Sequence, residues 1–194
     1  MSKNLTISRS FTGRLAFMLF CLAIVLSGSV RASDSSVRIA ILGDRYGTEE
    51  KGVFGEIVNE IDLLRPDLVL HVGDIIDNWG DSLEIVGQWQ GFDSLIAPLD
   101  VPLYGPAGNN DIWDDISEKI YVERFGAAYK SLDFNGIHIV LVDNSRWENE
   151  DFPAEQLEWL KTDLEKNQNA RYTLVLMHKP FWYNTLQTGV IDPF

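Results

Sequence analysis

The run Leu68-Val69-Leu70-His71-Val72 leads directly into Gly73-Asp74-Ile75-Ile76-Asp77, and this junction restricts the possible folds more than any other segment. Four aliphatic residues in five suit a parallel strand covered on both faces rather than an amphipathic one. The glycine lets the backbone turn without a Cβ, and open α/β sheets bind ligands beyond the carboxyl ends of their strands. The segment therefore reads as a buried strand that delivers Asp74 and Asp77 to a sheet edge. Carboxylates placed there can hold a metal ion, and acids also cap helices. The pair alone leaves both uses open.

The same grammar recurs along the chain in a fixed order. Residues 37–42 are an apolar run that ends in Gly43-Asp44-Arg45-Tyr46. Pro102-Leu103-Tyr104 leads to Gly105-Pro106-Ala107-Gly108-Asn109-Asn110-Asp111, and residues 173–177 end in His178-Lys179-Pro180. Each run stops at a carboxylate, an amide or an imidazole, a donor set that suits Mn, Fe or Zn.

Taken together, these blocks resemble the calcineurin-like metallophosphoesterases, which include the purple acid phosphatases. That family orders its blocks as Asp-x-His, Gly-Asp-x-x-Asp, Gly-Asn-His followed by an acid, a lone histidine after a strand, and Gly-His-x-His. Phe134-Asn135-Gly136-Ile137-His138 and Pro153-Ala154-Glu155-Gln156-Leu157 are further echoes, so the resemblance spans residues 37–183. It implies an α/β sandwich of two mixed sheets flanked by helices, and a metal-dependent phosphoester hydrolase that uses metal-activated water on a small phosphoester. Position by position, it makes Asp74 the carboxylate shared by two metals, Asp44 a ligand of the first, and Asn109 and His178 ligands of the second. Asp77, Tyr46 and His71 fall behind these ligands.

The chain departs from the family at three places. Tyr46 replaces the histidine of the first block, Asn110 replaces that of the third, and no Gly-His-x-His precedes Phe194. The expected domain is therefore incomplete at its C-terminal end. Asn110 and Asp111 occupy the positions from which the family stabilises the transition state and protonates the leaving group. An amide donates a hydrogen bond but supplies no proton near neutral pH, so activity should favour esters with good leaving groups. The alternatives are a non-catalytic relative that binds a phosphorylated ligand or a partner in the same cleft, and an inactive fragment. A missing end also predicts an uncovered edge near residues 172–177, open to self-association.

The N-terminus reads differently from the rest. Residues 1–32 hold Lys3, Arg9, Arg14 and Arg31 and no acid, so the remainder carries 29 acidic and 12 basic residues, a net charge of −17 against −13 for the whole. A basic start, the twelve apolar residues 15–26 and Val30-Arg31-Ala32 form a secretory signal cleaved after Ala32, which leaves residues 33–194 as one exported domain, periplasmic or secreted. The uncharged span between Arg14 and Arg31 is shorter than the roughly 20 residues a bilayer requires, so no stable membrane insertion is expected after cleavage. Cys21, the single cysteine, lies within that signal and excludes both disulfides and thiolate ligation from the mature domain. Strong acidity argues against nucleic acid, whose phosphates demand clustered Lys and Arg.

Between the blocks, helical periodicity appears in four stretches. Phe54, Ile57, Val58, Ile61 and Leu64 share a face before Arg65-Pro66, and a second helix capped by Ser82 turns Ile85, Trp89, Phe92 and Ile96 inward. Further helices fit residues 116–125 and 154–166. Asn135-Gly136 between two apolar runs signals a two-residue hairpin. His138 within that hairpin reads as structural, Asp143 and Asn144 as turn residues, and Trp79, Trp113, Trp147 and Trp182 as either cleft walls or packing.

Overall fold

Alternation along one strand decides how the layers stack. The structure, a computed structural model, describes residues 36–46, 52–77, 79–146 and 152–180. The segment expected to be a signal, with Cys21, and also Trp147, Trp182 and Phe194 lie outside the described residues. Strand β2 (Leu68–His71) is buried along its whole length. Its Leu68 and Leu70 pack against Ile137, Ile139 and Leu141, whereas Val69 joins Leu42, Phe54, Val58, Trp89 and Phe92 on the opposite side. A period of two thus feeds one strand into two cores.

β2 is the centre of a parallel sheet with β1 (Ile39–Leu42) and β3 (Leu103–Tyr104), in register Leu42↔His71 and Leu70↔Tyr104. The second sheet holds β4 (Lys130–Phe134), β5 (Ile137–Leu141) and β6 (Tyr172–Leu176), with β4 antiparallel and β6 parallel to β5. The two sheets face each other through the Leu68–Leu70 and Ile137–Leu141 core. Helices α1 (Val53–Leu64), α2 (Ser82–Ile96) and α3 (Asp115–Phe125) supply residues to the core beyond the first sheet. Helix α4 (Ala154–Lys166) follows the second sheet's hairpin. This is the expected α/β sandwich of two sheets flanked by helices, except that among the described strands only the second sheet is mixed and the first is parallel throughout.

The hairpin turn has Asn135 at φ 49° and Gly136 at φ 82°, the paired positive angles that a two-residue turn requires. Two details of the helices differ from expectation. The apolar stripe of α1 is narrower: Phe54, Val58 and Ile61 are buried, but Ile57 and Leu64, on its margin, are 40% and 69% exposed. Helix α2 is capped by Asp81 rather than Ser82: the backbone is still extended at Asp81, whose carboxylate accepts the N–H groups of Leu83 and Glu84 while the Glu84 carboxylate accepts the Asp81 N–H. Ser82 is simply its first residue. Among the described residues no helix is long and apolar enough to cross a membrane.

Candidate metal centre

The three loops that leave the first sheet are stitched to one another by backbone N–H groups that donate to carbonyl and carboxylate oxygens. Gly73 (φ 97°) turns the chain after β2 and passes Asp74 through φ 54°, a left-handed conformation that aspartate tolerates better than most residues. The Asp74 carbonyl accepts the N–H groups of Arg45 and Tyr46, each at 3.1 Å, which draws the loop after β1 and its Asp44 alongside. Arg45 Nη1 donates to the Ile75 carbonyl at 3.0 Å. The loop after β3 approaches so closely that a Cβ on Gly108 would stand 2.1 Å from Asp74 Oδ1. Asn110 N–H donates to that same Oδ1 at 2.8 Å.

Asp111 is fully buried and holds the second and third loops together. Its Oδ1 accepts the N–H groups of Ile75 (2.8 Å) and Ile76 (3.1 Å), and its Oδ2 that of Gly108 (2.8 Å). Burial pushes its carboxyl up to about 6, against the pull of those three peptide donors. His71 is also buried: its Nδ1 accepts the Gly73 N–H at 3.2 Å, and burial, with Lys130 adding, lowers its pKa to about 4. A neutral imidazole behind the Gly73 turn is therefore the resting form.

His178 arrives from the other sheet. Its Nδ1 lies 2.8 Å from the Val72 carbonyl, which has only lone pairs to offer, so Nδ1 carries the proton. The Nε2 lone pair then points at Asn109 Oδ1 (3.2 Å) and Asp74 Oδ2 (3.4 Å). Asp44 Oδ1 is 3.9 Å from the ring, and one donor atom from each of Asp44, Asp74 and His178 falls within 4.8 Å of the others. Burial raises the Asp44 carboxyl, with His178 opposing and Asp74 reinforcing. The His178 ring is disfavoured as a cation by burial, but the Asp74 carboxylate outweighs this and its pKa is raised.

In the neutral ring, Nε2, Asn109 Oδ1 and Asp74 Oδ2 are three acceptors facing one another with no donor between them. Either a proton on Nε2 or a metal ion resolves that arrangement. The oxygen and imidazole donors suit Mn, Fe or Zn, and an Nδ1–H bonded to a backbone carbonyl is how a ligating histidine is normally oriented. The residues fit a metal ion.

The remaining expected residues are placed around this group. Tyr46 gives its N–H to Asp74 and its ring to the Arg45 guanidinium, 4.9 Å from the centroid. Asp77 turns toward α2: its N–H donates to Gln88 Oε1, and its carboxylate accepts the Trp79 indole N–H. Beside Asn109 opens a cleft of about 820 Å³ bordered by Trp113, Ser145, Arg146 and Lys179. Trp113 is thus a cleft wall. Asn144, read as an ordinary turn residue, is fully buried and bonds both backbone groups of Lys179.

Carboxylates, an amide and an imidazole gathered at the strand ends of an α/β sandwich define a metal-centre domain. The chain belongs to the calcineurin-like phosphoesterase family, whose sequence profile matches residues 37–193. Its fold is similar to that of a dimetal phosphatase from Danio rerio, at 13% identity and a TM-score of 0.61, over 74% of this chain and 70% of that one. It is also similar to a purple acid phosphatase from yellow lupin (Lupinus luteus) seeds, at 20% identity and a TM-score of 0.54, over 75% of this chain and 31% of the lupin one. No curated protein sequence matches the chain. Family membership places the chain among metal-dependent phosphoester hydrolases.

Proposed function

We propose that this chain is an exported phosphatase or phosphodiesterase for small phosphoesters, dependent on Mn, Fe or Zn. The observation that carries the reading is the convergence of Asp44, Asp74 and His178 donor atoms within 4.8 Å, beside Asn109. Asp74 and His178 would hold the ion from its buried side and Asp44 from the exposed side, with Asn109 Oδ1 as a further oxygen donor. A bound ion of this type supplies Lewis-acid polarisation of a phosphoryl oxygen and acidifies water toward a pKa of about 7.

The protein's own groups do the rest. The Asn110 N–H holds Asp74 Oδ1 in place, leaving Oδ2 turned to His178. The Asn110 side chain can donate a hydrogen bond to substrate but not a proton. A cleft of about 820 Å³ lies within the range of small-ligand sites and meets the centre at Asn109. The basic, acid-free residues 1–32 support export of residues 33–194.

Asn110 in place of a proton donor favours one other reading, a phosphoryl-binding protein without turnover. Hydrolysis of 4-nitrophenyl phosphate by the Mn²⁺-, Fe²⁺- or Zn²⁺-loaded chain decides between them. Turnover abolished by Asp74→Asn supports the enzyme, and metal-dependent phosphate binding without turnover supports the binding protein.

A further inference from the structure

We propose that Asn144 is a positioning residue for His178. The inference rests on reading His178 as a metal ligand. Strands β5 and β6 pair as far as Leu141↔Leu176, and the Val142 N–H extends the ladder by one bond to the Leu176 carbonyl at 3.0 Å. Beyond that point the side chain of Asn144 replaces a strand. Its Oδ1 accepts the Lys179 N–H at 3.1 Å, and its Nδ2 donates to the Lys179 carbonyl at 2.8 Å. Because the Lys179 N–H belongs to the peptide bond with His178, this two-way bridge fixes the plane of the backbone that carries the imidazole.

The bridge is itself held rigid from α4. Gln156, 2% exposed, repeats the device on Asp143: the Asp143 N–H donates to Gln156 Oε1 and Gln156 Nε2 donates to the Asp143 carbonyl, both at 2.7 Å. The Asp143 carboxylate then accepts the Ser145 N–H (3.0 Å) and hydroxyl (2.6 Å), and the Ser145 carbonyl accepts Lys179 Nζ at 2.7 Å. Asn144 stands in the middle of this network with none of its surface exposed. On the far side, the His178 ring is tied through Nδ1 to the Val72 carbonyl of the first sheet. The two ties, one on the backbone and one on the ring, leave a single direction for the Nε2 lone pair.

Partners of this kind, one bond removed from a ligand, are worth about 10–100-fold in metal affinity. The test is Mn²⁺ titration calorimetry on the full chain. Asn144→Ala should bind about 10–100-fold more weakly than the parent, with the far-ultraviolet dichroism unchanged. Asn144→Asp, which keeps the acceptor but sets a carboxylate against the Lys179 carbonyl, should fall between them and serves if the alanine variant does not fold. Ser131→Ala removes a bond from β4 of the same sheet to Asp163 on α4, away from the centre, and controls for general loosening. Parent-like affinity in the Asn144 variants overturns the inference, as does equal weakening in Ser131→Ala.

Ring ¹⁵N shifts of His178 in the metal-free protein test the same inference independently of metal. At a pH high enough to keep the ring neutral, the parent should show one fixed Nδ1–H tautomer and Asn144→Ala a mixture of tautomers. Identical tautomer populations in both overturn the inference. A parent that binds no ion overturns the metal reading alone, and the tautomer comparison still decides the role of Asn144.

Discussion

The Nδ1 atom of His178 lies 2.8 Å from the carbonyl oxygen of Val72, so the ligand supplied by one sheet is anchored on the exit of the central strand of the other. Neither sheet can shift without turning the ring away from Asp74. Among the described residues, Asp44, Asp74 and His178 form the one cluster of acids and histidines with ligand spacing. Metal analysis after dialysis should therefore find one tightly held ion per chain, and none in Asp74→Ala or His178→Ala. Two retained equivalents would contradict this expectation.

Gly108 should tolerate no side chain. A Cβ there meets Asp74 Oδ1 at 2.1 Å and Asp74 N at 2.3 Å, both parts of the loop that carries the central carboxylate. Gly108→Ala is expected to destabilise the domain by about 1–3 kcal/mol, the usual range for overpacking. It should also weaken metal binding, since Asp74 is the group displaced. Urea unfolding and calorimetry on the same sample check both effects, and an unaltered midpoint with parent affinity would refute the clash.

Asn110→His should restore a proton donor at a position whose backbone already holds Asp74. The rise in turnover should be on the order of 10²–10⁴ for an alkyl phosphate. It should be much smaller for an aryl phosphate, whose leaving group departs without protonation. Equal gains on both substrates would show that the imidazole acts by another route.

His138 makes the stability of the second sheet dependent on pH. Its Nδ1 lies 2.8 Å from Asp133 on β4 and its Nε2 2.7 Å from Asp163 on α4. Two acceptors demand a proton on each nitrogen. Burial opposes the charged ring, but the bonds to Asp163 and Asp133 prevail and its pKa is raised. The stabilisation is therefore complete below the unfolded value of about 6.5 and is lost as pH rises through the higher folded value. The melting temperature should fall as pH climbs above about 6.5, and His138→Gln should flatten that slope.

What was legible in the sequence was what local chemistry decides. Asn135-Gly136 announced its turn because such residues accept two successive positive φ angles, and the ends of apolar runs, read with the family resemblance, pointed to Asp44, Asp74 and His178, whose donor atoms the fold brings together, and to Asn109 beside them. Asp81 was missed in favour of Ser82 because either residue can cap a helix, and only the backbone path selects one. The work of Asn144 was hidden for a different reason. Its partner Lys179 lies 35 positions away and is recognised through backbone atoms, which leave no trace in residue identity. Asp111 likewise stands beside Asn110 in a catalytic-looking motif, while its bonds run to the peptide groups of Ile75, Ile76 and Gly108.

Those three bonds bear on the order of assembly. A carboxylate that gathers donors from two loops prepays the ordering of the site during folding, so an arriving ion meets preset ligands instead of organising them. This differs from small domains that are unfolded until metal arrives. A chelator should strip the centre reversibly and leave the sandwich standing, with most of the affinity for the ion regained on simple readdition.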